Sequence, residues 1–250
     1  MKGWFPGAKG KKKVSKAITD PMQDVLERAQ AAATRAAGEV PTYTRVRAVD
    51  RWKSALVCCT TTQFREVSGV RYVRHCGPTA VTNLLGTLRQ AQGLPWDPDR
   101  DAAGVFRRSA GIGRKLLAYW NLDVLHYFGG TVDLLAGQVL RRALKECGLG
   151  DCRVLARLRP DPLRLRGDLD AGRLLYLELG HHPYYGNHHI IVSGYTLLRN
   201  QADGSPAVYL KAADGWADRP RWVRLADGHI RHWFAVEPGE PGEGPGEGRE

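Results

Sequence analysis

The spacing of hydrophobic residues divides the chain into a first half with helical patterns and a second half with strand patterns. After Pro78, apolar side chains recur three and four residues apart, as on one face of a helix, at Val81, Leu84, Leu85 and Leu88. Two further stretches with helical spacing cover about residues 101–120 and 132–147. The sequence therefore predicts a helical region that ends near residue 150.

The pattern changes after residue 150, where short apolar runs alternate with clusters of Gly, Asp, Asn and Pro. Runs of this kind predict β-strands joined by turns. They read RLLYLEL, HHIIVSGYTLL, AVYLKAA, RWVRLA and IRHWFAV. Helices followed by a series of strands indicate an α+β fold, with a helical N-terminal lobe and a C-terminal lobe made of an antiparallel sheet.

A short hairpin is predicted just before the first of these helices. Two alternating runs, TQFREV and VRYVRH, flank Ser68-Gly69, and such a pair suits a two-residue hairpin turn. With this turn, residue 67 pairs with residue 70, and continued pairing would bring residue 63 opposite residue 74.

Both ends of the chain differ in composition from the part between them. Residues 1–19 are rich in lysine and glycine and are expected to form a basic flexible head, while residues 237–250 form an acidic Pro/Gly tail that is too polar to pack. Residues 20–236 are expected to form one domain. Within it, the polar, alanine-rich residues 20–40 predict a helical arm.

Length and composition exclude several classes of protein. A chain of 250 residues with 43% hydrophobic content can bury a sizeable core. The N-terminus lacks the apolar core of a signal peptide, and no segment reaches the roughly 18 apolar residues of a membrane helix. We therefore expect a soluble, cytoplasmic protein without a membrane span.

The five cysteines are an odd number, which fits reduced thiols better than a disulfide framework. Cys147 and Cys152 lack a second cysteine pair at the spacing of a zinc finger, so we expect no metal site, and nothing indicates a cofactor.

The net charge is +11, which could indicate contacts with phosphates. However, the arginines are scattered through the predicted helices and strands without interleaved aromatic residues that would stack on bases. We expect a solvated basic surface and no specific nucleic-acid partner. The sequence leaves the oligomeric state open.

Cys76 stands at the start of the first predicted helix, because Pro78 suits the first helical turn. Free N–H groups and the positive end of the helix dipole favour an anion at this place, so we expect the thiol to ionise readily and to act as a nucleophile. The alternative is that Cys76 is a small buried hydrophobic residue.

A thiolate nucleophile requires a base and a group that orients the base. His188 begins one predicted strand and Asp214 ends the next, and in an antiparallel pair these two ends lie side by side. His189 should point to the opposite face of the strand, so only one of the two histidines can face the cleft.

Three motifs resemble those of the papain-like cysteine peptidases, especially the bacterial branch that cleaves leader peptides after a double glycine. The motifs are CGPTAV, HHIIVSGY and YLKAADGW, and the resemblance spans about residues 60–236. In that family the catalytic histidine stands six residues before a glycine, which selects His188 through Gly194. The motif Asp214-Gly215-Trp216 matches the family's third catalytic residue and the tryptophan that shields it.

The resemblance implies a catalytic triad of Cys76, His188 and Asp214 that cleaves a peptide or protein substrate through a thioacyl intermediate. It also implies an oxyanion-hole glutamine six residues before the cysteine, where this chain has Val70. The nearest glutamine is Gln63, and the predicted hairpin would return it to the neighbourhood of Cys76.

Two other functions are compatible with the same residues. A Cys-His-Asp acyltransferase would pass the acyl group to an amine or thiol instead of water. A catalytically weak, papain-fold binding protein would keep the fold and lose efficient turnover. The sequence does not identify the substrate.

Overall fold

The computed structural model describes residues 43–124, 128–225 and 229–239. The predicted basic head, the helical arm and the acidic tail beyond residue 239 lie outside the described residues.

The described chain contains four α-helices, one 3-10 helix and eleven strands. The helices are α1 (Cys76–Ala91), α2 (Pro98–Lys115), the 3-10 helix (Asp133–Leu135), α3 (Ala136–Glu146) and α4 (Pro162–Asp170). The strands are β1 (Tyr43–Asp50), β2 (Glu66–Val67), β3 (Val70–Arg71), β4 (Tyr119–Val124), β5 (Phe128–Thr131), β6 (Arg153–Arg157), β7 (Leu174–His182), β8 (Gly186–Asn200), β9 (Pro206–Ala213), β10 (Arg221–Arg224) and β11 (Ile230–Glu237).

Seven of the strands form one sheet in the order β10-β9-β8-β7-β11-β6, with β1 paired to β8. All of these pairs are antiparallel. The long strand β8 uses its first half to pair with β7 and its second half to pair with β1. The predicted α+β fold with a large antiparallel sheet is therefore confirmed.

Different helices cover the two faces of this sheet. On one face, Tyr176 and Ile191 share a core with the apolar residues of α1 and α3. On the other face, Leu177 and Ile190 pack with Leu165 and its neighbours in α4. The alternation of side chains along β7 and β8 thus divides the hydrophobic residues between two cores.

The predicted hairpin is present as β2 and β3. Val67 pairs with Val70, and Ser68 and Gly69 both adopt positive φ, 53° and 73°, as a type I′ turn requires. The pairing extends to a hydrogen bond from the N–H of Tyr72 to the carbonyl of Arg65 (2.8 Å).

Two features of the first half differ from the helical prediction. The stretch predicted as a helix to about residue 120 ends at Lys115, and the chain then forms the separate hairpin β4–β5. Strand β1 was not predicted, because most of its side chains are exposed and its arginines hide the alternation. Within the described chain, no helix is both long and apolar enough to cross a membrane.

Candidate active site

Cys76 is the first residue of α1, as the position of Pro78 predicts, and its side chain is partly buried. Gly77 is needed behind it, because a Cβ at this position would collide with the hydroxyl of Thr131 at the end of β5. The N-terminus of α1 is thereby held directly against the end of the β4–β5 hairpin.

The sulfur of Cys76 lies close to the main-chain N–H groups of His189 and Gly77 and to its own. Burial raises the pKa of the thiol, and the negative charge of Asp133 raises it further, while the three N–H groups lower it by less. The expectation of a readily ionised thiol is wrong for this resting structure, because desolvation outweighs the N–H groups at the start of the helix.

His188 and His189 lie on opposite faces of β8. Because residues two apart share a face, His189 lies on the side of Ile191 and α1, while His188 lies on the side of Ile190. The sulfur of Cys76 meets the N–H of the peptide group that joins the two histidines. The thiol and the backbone of His188 are therefore neighbours.

The ring of His188 is held by a hydrogen bond and by a stacked aromatic ring. Its Nε2 lies 2.6 Å from the main-chain carbonyl oxygen of Asp214, and its plane stacks on Tyr185 with centroids 5.4 Å apart. A carbonyl oxygen only accepts, so in the neutral ring Nε2 carries the hydrogen and Nδ1 carries the lone pair. Burial lowers the pKa of His188, which favours this neutral form.

The carboxylate of Asp214 is fully buried and does not meet the ring of His188, although the resemblance implied that contact. Oδ1 accepts from the N–H groups of Trp216 (2.9 Å) and Ala217 (3.1 Å). Oδ2 accepts from the hydroxyl of Tyr185 (3.0 Å) and from Nη1 of Arg221 (3.2 Å). Asp214 therefore orients His188 through its main-chain carbonyl, while its carboxylate fixes the turn that follows β9.

Trp216 covers the histidine. Its ring lies 4.8 Å from that of His188, centroid to centroid, and also contacts Tyr184 and Tyr185. The indole is 41% exposed, so it forms an outer wall between His188 and solvent.

Gln63 is placed differently from the expectation. Its Oε1 accepts from the N–H of Thr60 (3.0 Å), and its side chain is exposed in a groove that Cys58 also lines. The loop before the hairpin does lie next to the segment of Cys76, but the contact is made by Thr61. Its carbonyl oxygen lies 2.8 Å from Nε2 of His75, the residue before Cys76. The pairing of the hairpin ends at the hydrogen bond between Arg65 and Tyr72, two residues after Gln63.

Sequence reasoning missed two residues near the site, Arg221 and Asp133, and it placed Tyr184 and Tyr185 at the rim of the cleft, as an apolar subsite, without the contact of Tyr185 with Asp214. Arg221 and Tyr185 bind the carboxylate of Asp214, and Asp133 lies beside His189 and Cys76. None stands in a motif, and their roles depend on contacts with distant parts of the chain. Among the described residues, no cluster of three side chains suitable for a metal ion occurs.

No family model, no curated protein and no solved structure matches this chain.

Proposed function

We propose that this protein is a cysteine-dependent hydrolase that cleaves peptide bonds in a peptide or protein substrate, with Cys76 as nucleophile and His188 as general base on a papain-like arrangement. The observation that carries the proposal is the contact of the thiol with the peptide group joining His188 to His189. The orientation of the His188 ring by Asp214 and its cover by Trp216 also support the proposal, because thiol acyl chemistry needs an oriented base close to the nucleophile.

The first step transfers the thiol proton of Cys76 to Nδ1 of His188 as the sulfur attacks the carbonyl carbon of the substrate. The resulting imidazolium donates this proton to the leaving amine, and the C–N bond breaks. Water then attacks the thioester and releases the acid. Because burial raises the pKa of Cys76 and lowers that of His188, we expect His188 to take the proton as the sulfur attacks an electrophile, whether a substrate carbonyl or an alkylating reagent, and not before.

The oxyanion that forms in the first step needs hydrogen-bond donors. The main-chain N–H of Cys76 at the start of α1 is one candidate, and the amide of Gln63 is the second, provided that it leaves Thr60. A donor of this kind contributes about 2.7–4 kcal/mol to stabilising the transition state. The position of Gln63 therefore favours a substrate that rearranges this loop.

The surroundings of the cleft favour an apolar substrate residue. Val132 and Leu134 follow Thr131, the residue that touches Gly77 beside the nucleophile, and they are 41% and 69% exposed. All five cysteines are unpaired, which fits a reducing cytoplasm.

A papain-fold binding protein without efficient turnover is the second candidate. The raised pKa of Cys76 and the binding of the Gln63 amide to Thr60 favour it. An acyltransferase would use the same first step and differ only in the acceptor of the acyl group.

The proposal predicts that Cys76→Ala abolishes cleavage of a mixed peptide library, with products read by mass spectrometry, whereas Cys58→Ala leaves cleavage intact. Cys58 is a matched control, since it is also partly buried, and burial followed by the negative charge of Asp214 raises the pKa of its thiol to about 12. His188→Ala should slow the alkylation of Cys76 by iodoacetamide at neutral pH and leave that of Cys58 unchanged.

Equal peptide cleavage by both cysteine variants would refute the hydrolase. Cleavage that appears only when an added amine accepts the acyl group would indicate a transferase. Absence of any cleavage, with Cys76 and Cys58 equally indifferent to His188, would favour the binding protein.

A further inference from the structure

A cluster of charged and titratable side chains lies on the α1 face of the sheet, next to Cys76, and the proposed chemistry does not use it. It joins the 3-10 helix to strands β7, β8 and β11, and its members are Asp133, Glu178, His189, Arg231 and His232. We call it the carboxyl cluster.

Arg231 connects the two acids of the cluster. Its Nη1 lies 3.3 Å from Oδ2 of Asp133 and 3.3 Å from Oε1 of Glu178. Glu178 is almost completely buried, with its side chain 2% exposed, while that of Asp133 is 28% exposed. Two carboxyl groups therefore share one guanidinium, and the more buried acid is the costlier one to ionise.

The two ring nitrogens of His232 lie next to oxygen atoms of Asp133 and Glu178. Its Nε2 lies 3.3 Å from the main-chain oxygen of Asp133, which only accepts, so Nε2 carries a hydrogen. Its Nδ1 lies 3.1 Å from Oε2 of Glu178. Nδ1 of the neutral ring therefore carries a lone pair next to a carboxyl oxygen that no described residue hydrogen-bonds, and the two atoms repel each other unless Glu178 is protonated.

The charges of the cluster balance only with that proton. Burial lowers the pKa values of His189 and His232, so both rings are neutral at pH 7 in the absence of a proton from Glu178. Burial, contact with Asp133 and the charge of Asp133 raise the pKa of Glu178 to about 9. Asp133 and Arg231 then neutralise each other, and the contact between Glu178 and His232 is neutral as a unit.

We propose that the carboxyl cluster holds one proton on Glu178, between Arg231 and His232, and that this proton keeps Asp133 in position against His189 beside Cys76. Asp133 Oδ1 lies 3.6 Å from Nε2 of His189, and the N–H of His189 meets the sulfur. Asp133 is thus a positioning residue for the thiol. The part of the inference that concerns reactivity rests on the proposed function of Cys76.

Loss of the proton would place a second negative charge next to Asp133. Tyr176 and the thiol of Cys76 also face the cluster, and His181 contacts Arg231, whose positive charge is already paired with Asp133. Repulsion between the two carboxylates then loosens the contact between the 3-10 helix and the sheet, and the added charge further disfavours the thiolate of Cys76.

Glu178→Gln tests the inference, because a glutamine amide is neutral and can donate to Nδ1 of His232 at every pH. In the native protein, the folded pKa of Glu178 lies above the unfolded value of 4.5, so the stability it contributes is lost as pH rises from about 4.5 to about 9. We compare the melting temperatures of the two proteins at each pH. The difference, Glu178→Gln minus native, should increase by roughly 3 °C per pH unit over this range and stay constant above it.

The matched control is Glu146→Gln, which removes an acid whose side chain is 35% exposed and pairs with Arg142 on the surface of α3. Its melting curve should run parallel to that of the native protein at every pH. If Glu178→Gln also runs parallel, no proton is held in the cluster and the inference is overturned, whatever the result for peptide cleavage.

A second measurement tests the link to the thiol. The midpoint of iodoacetamide labelling of Cys76 should lie at lower pH in Glu178→Gln than in the native protein, and Glu146→Gln should not move it. An unchanged midpoint combined with the predicted melting curves would refute the positioning of Cys76 by the cluster. The response of this labelling to His188→Ala tests the proposed catalytic pair separately.

Discussion

At the scale of single residues, Arg221 and Tyr185 determine what the carboxylate of Asp214 does. The two side chains bind the same oxygen, and two main-chain N–H groups bind the other. Asp214 is fully buried, so its charge is tolerated only because these four donors replace water. The guanidinium thus stabilises the turn that carries Trp216 to the ring of His188.

Replacing Arg221 with Met should lower the free energy of unfolding by about 3–5 kcal/mol, because it leaves a buried carboxylate without its cation. Chemical denaturation measures the loss. The control is Arg219→Met, which removes an exposed arginine two residues away and should change stability by no more than about 0.5 kcal/mol. A similar small effect for both variants would show that Arg221 is not needed to compensate Asp214.

At the scale of elements, two glycines of α2 differ in the space around them. A Cβ at Gly111 would meet no atom within 4 Å, whereas a Cβ at Gly113 would lie 2.7 Å from the Cβ of Tyr119. Tyr119 begins β4, and its hydroxyl donates to the carbonyl of Val73 shortly before the nucleophile. Close packing at Gly113 therefore positions the β4–β5 hairpin against the segment that leads to Cys76.

Gly111→Ala should raise the free energy of unfolding by about 0.5–1 kcal/mol, since alanine loses less backbone entropy in a helix. Gly113→Ala should lower it, because Tyr119 must move to admit the methyl group. Thermal unfolding of the two variants, which differ only in the position of one methyl group, measures both effects. Stabilisation by both substitutions would disprove the close contact.

At the scale of the whole molecule, several histidine rings are buried in their neutral form. Burial lowers the pKa values of His75, His188, His189 and His232, that of His189 to about 4. Unfolding returns each ring to a pKa near 6.5, so the unfolded state binds more protons once the pH falls below that value. The stability associated with the neutral rings is present above about pH 6.5 and is lost as the pH falls towards the folded pKa values.

We therefore expect the free energy of unfolding to fall steeply in weak acid. His189→Gln should remove about 1.4 kcal/mol per pH unit of this slope between about pH 6.5 and pH 4. Denaturation curves across this range test the expectation, with His181→Gln at an exposed position as control. Equal slopes for the native protein and His189→Gln would contradict it.

Local signals accounted for a good part of the fold and for the elements around the site. Pro78 and the apolar spacing after it predicted α1, and Ser68-Gly69 predicted the hairpin. Strand β1 was not predicted, because its exposed arginines hide the alternation of polar and apolar residues. Strand β4 was not predicted, because the helical pattern continued into it. The catalytic roles of Cys76, His188, Asp214, Gln63 and Trp216 stay predictions.

The sequence by itself determined the features that depend on a few adjacent residues. These are the start of α1 at Cys76, the two-residue hairpin turn, and the placement of His188 and His189 on opposite faces of β8, all of which follow from backbone geometry. Only the tertiary structure decided the direction of the thiol pKa, the partners of the Asp214 carboxylate and the approach of Asp133 to His189. These depend on desolvation and on contacts between distant segments, because the energy of a charge is set by everything packed around it.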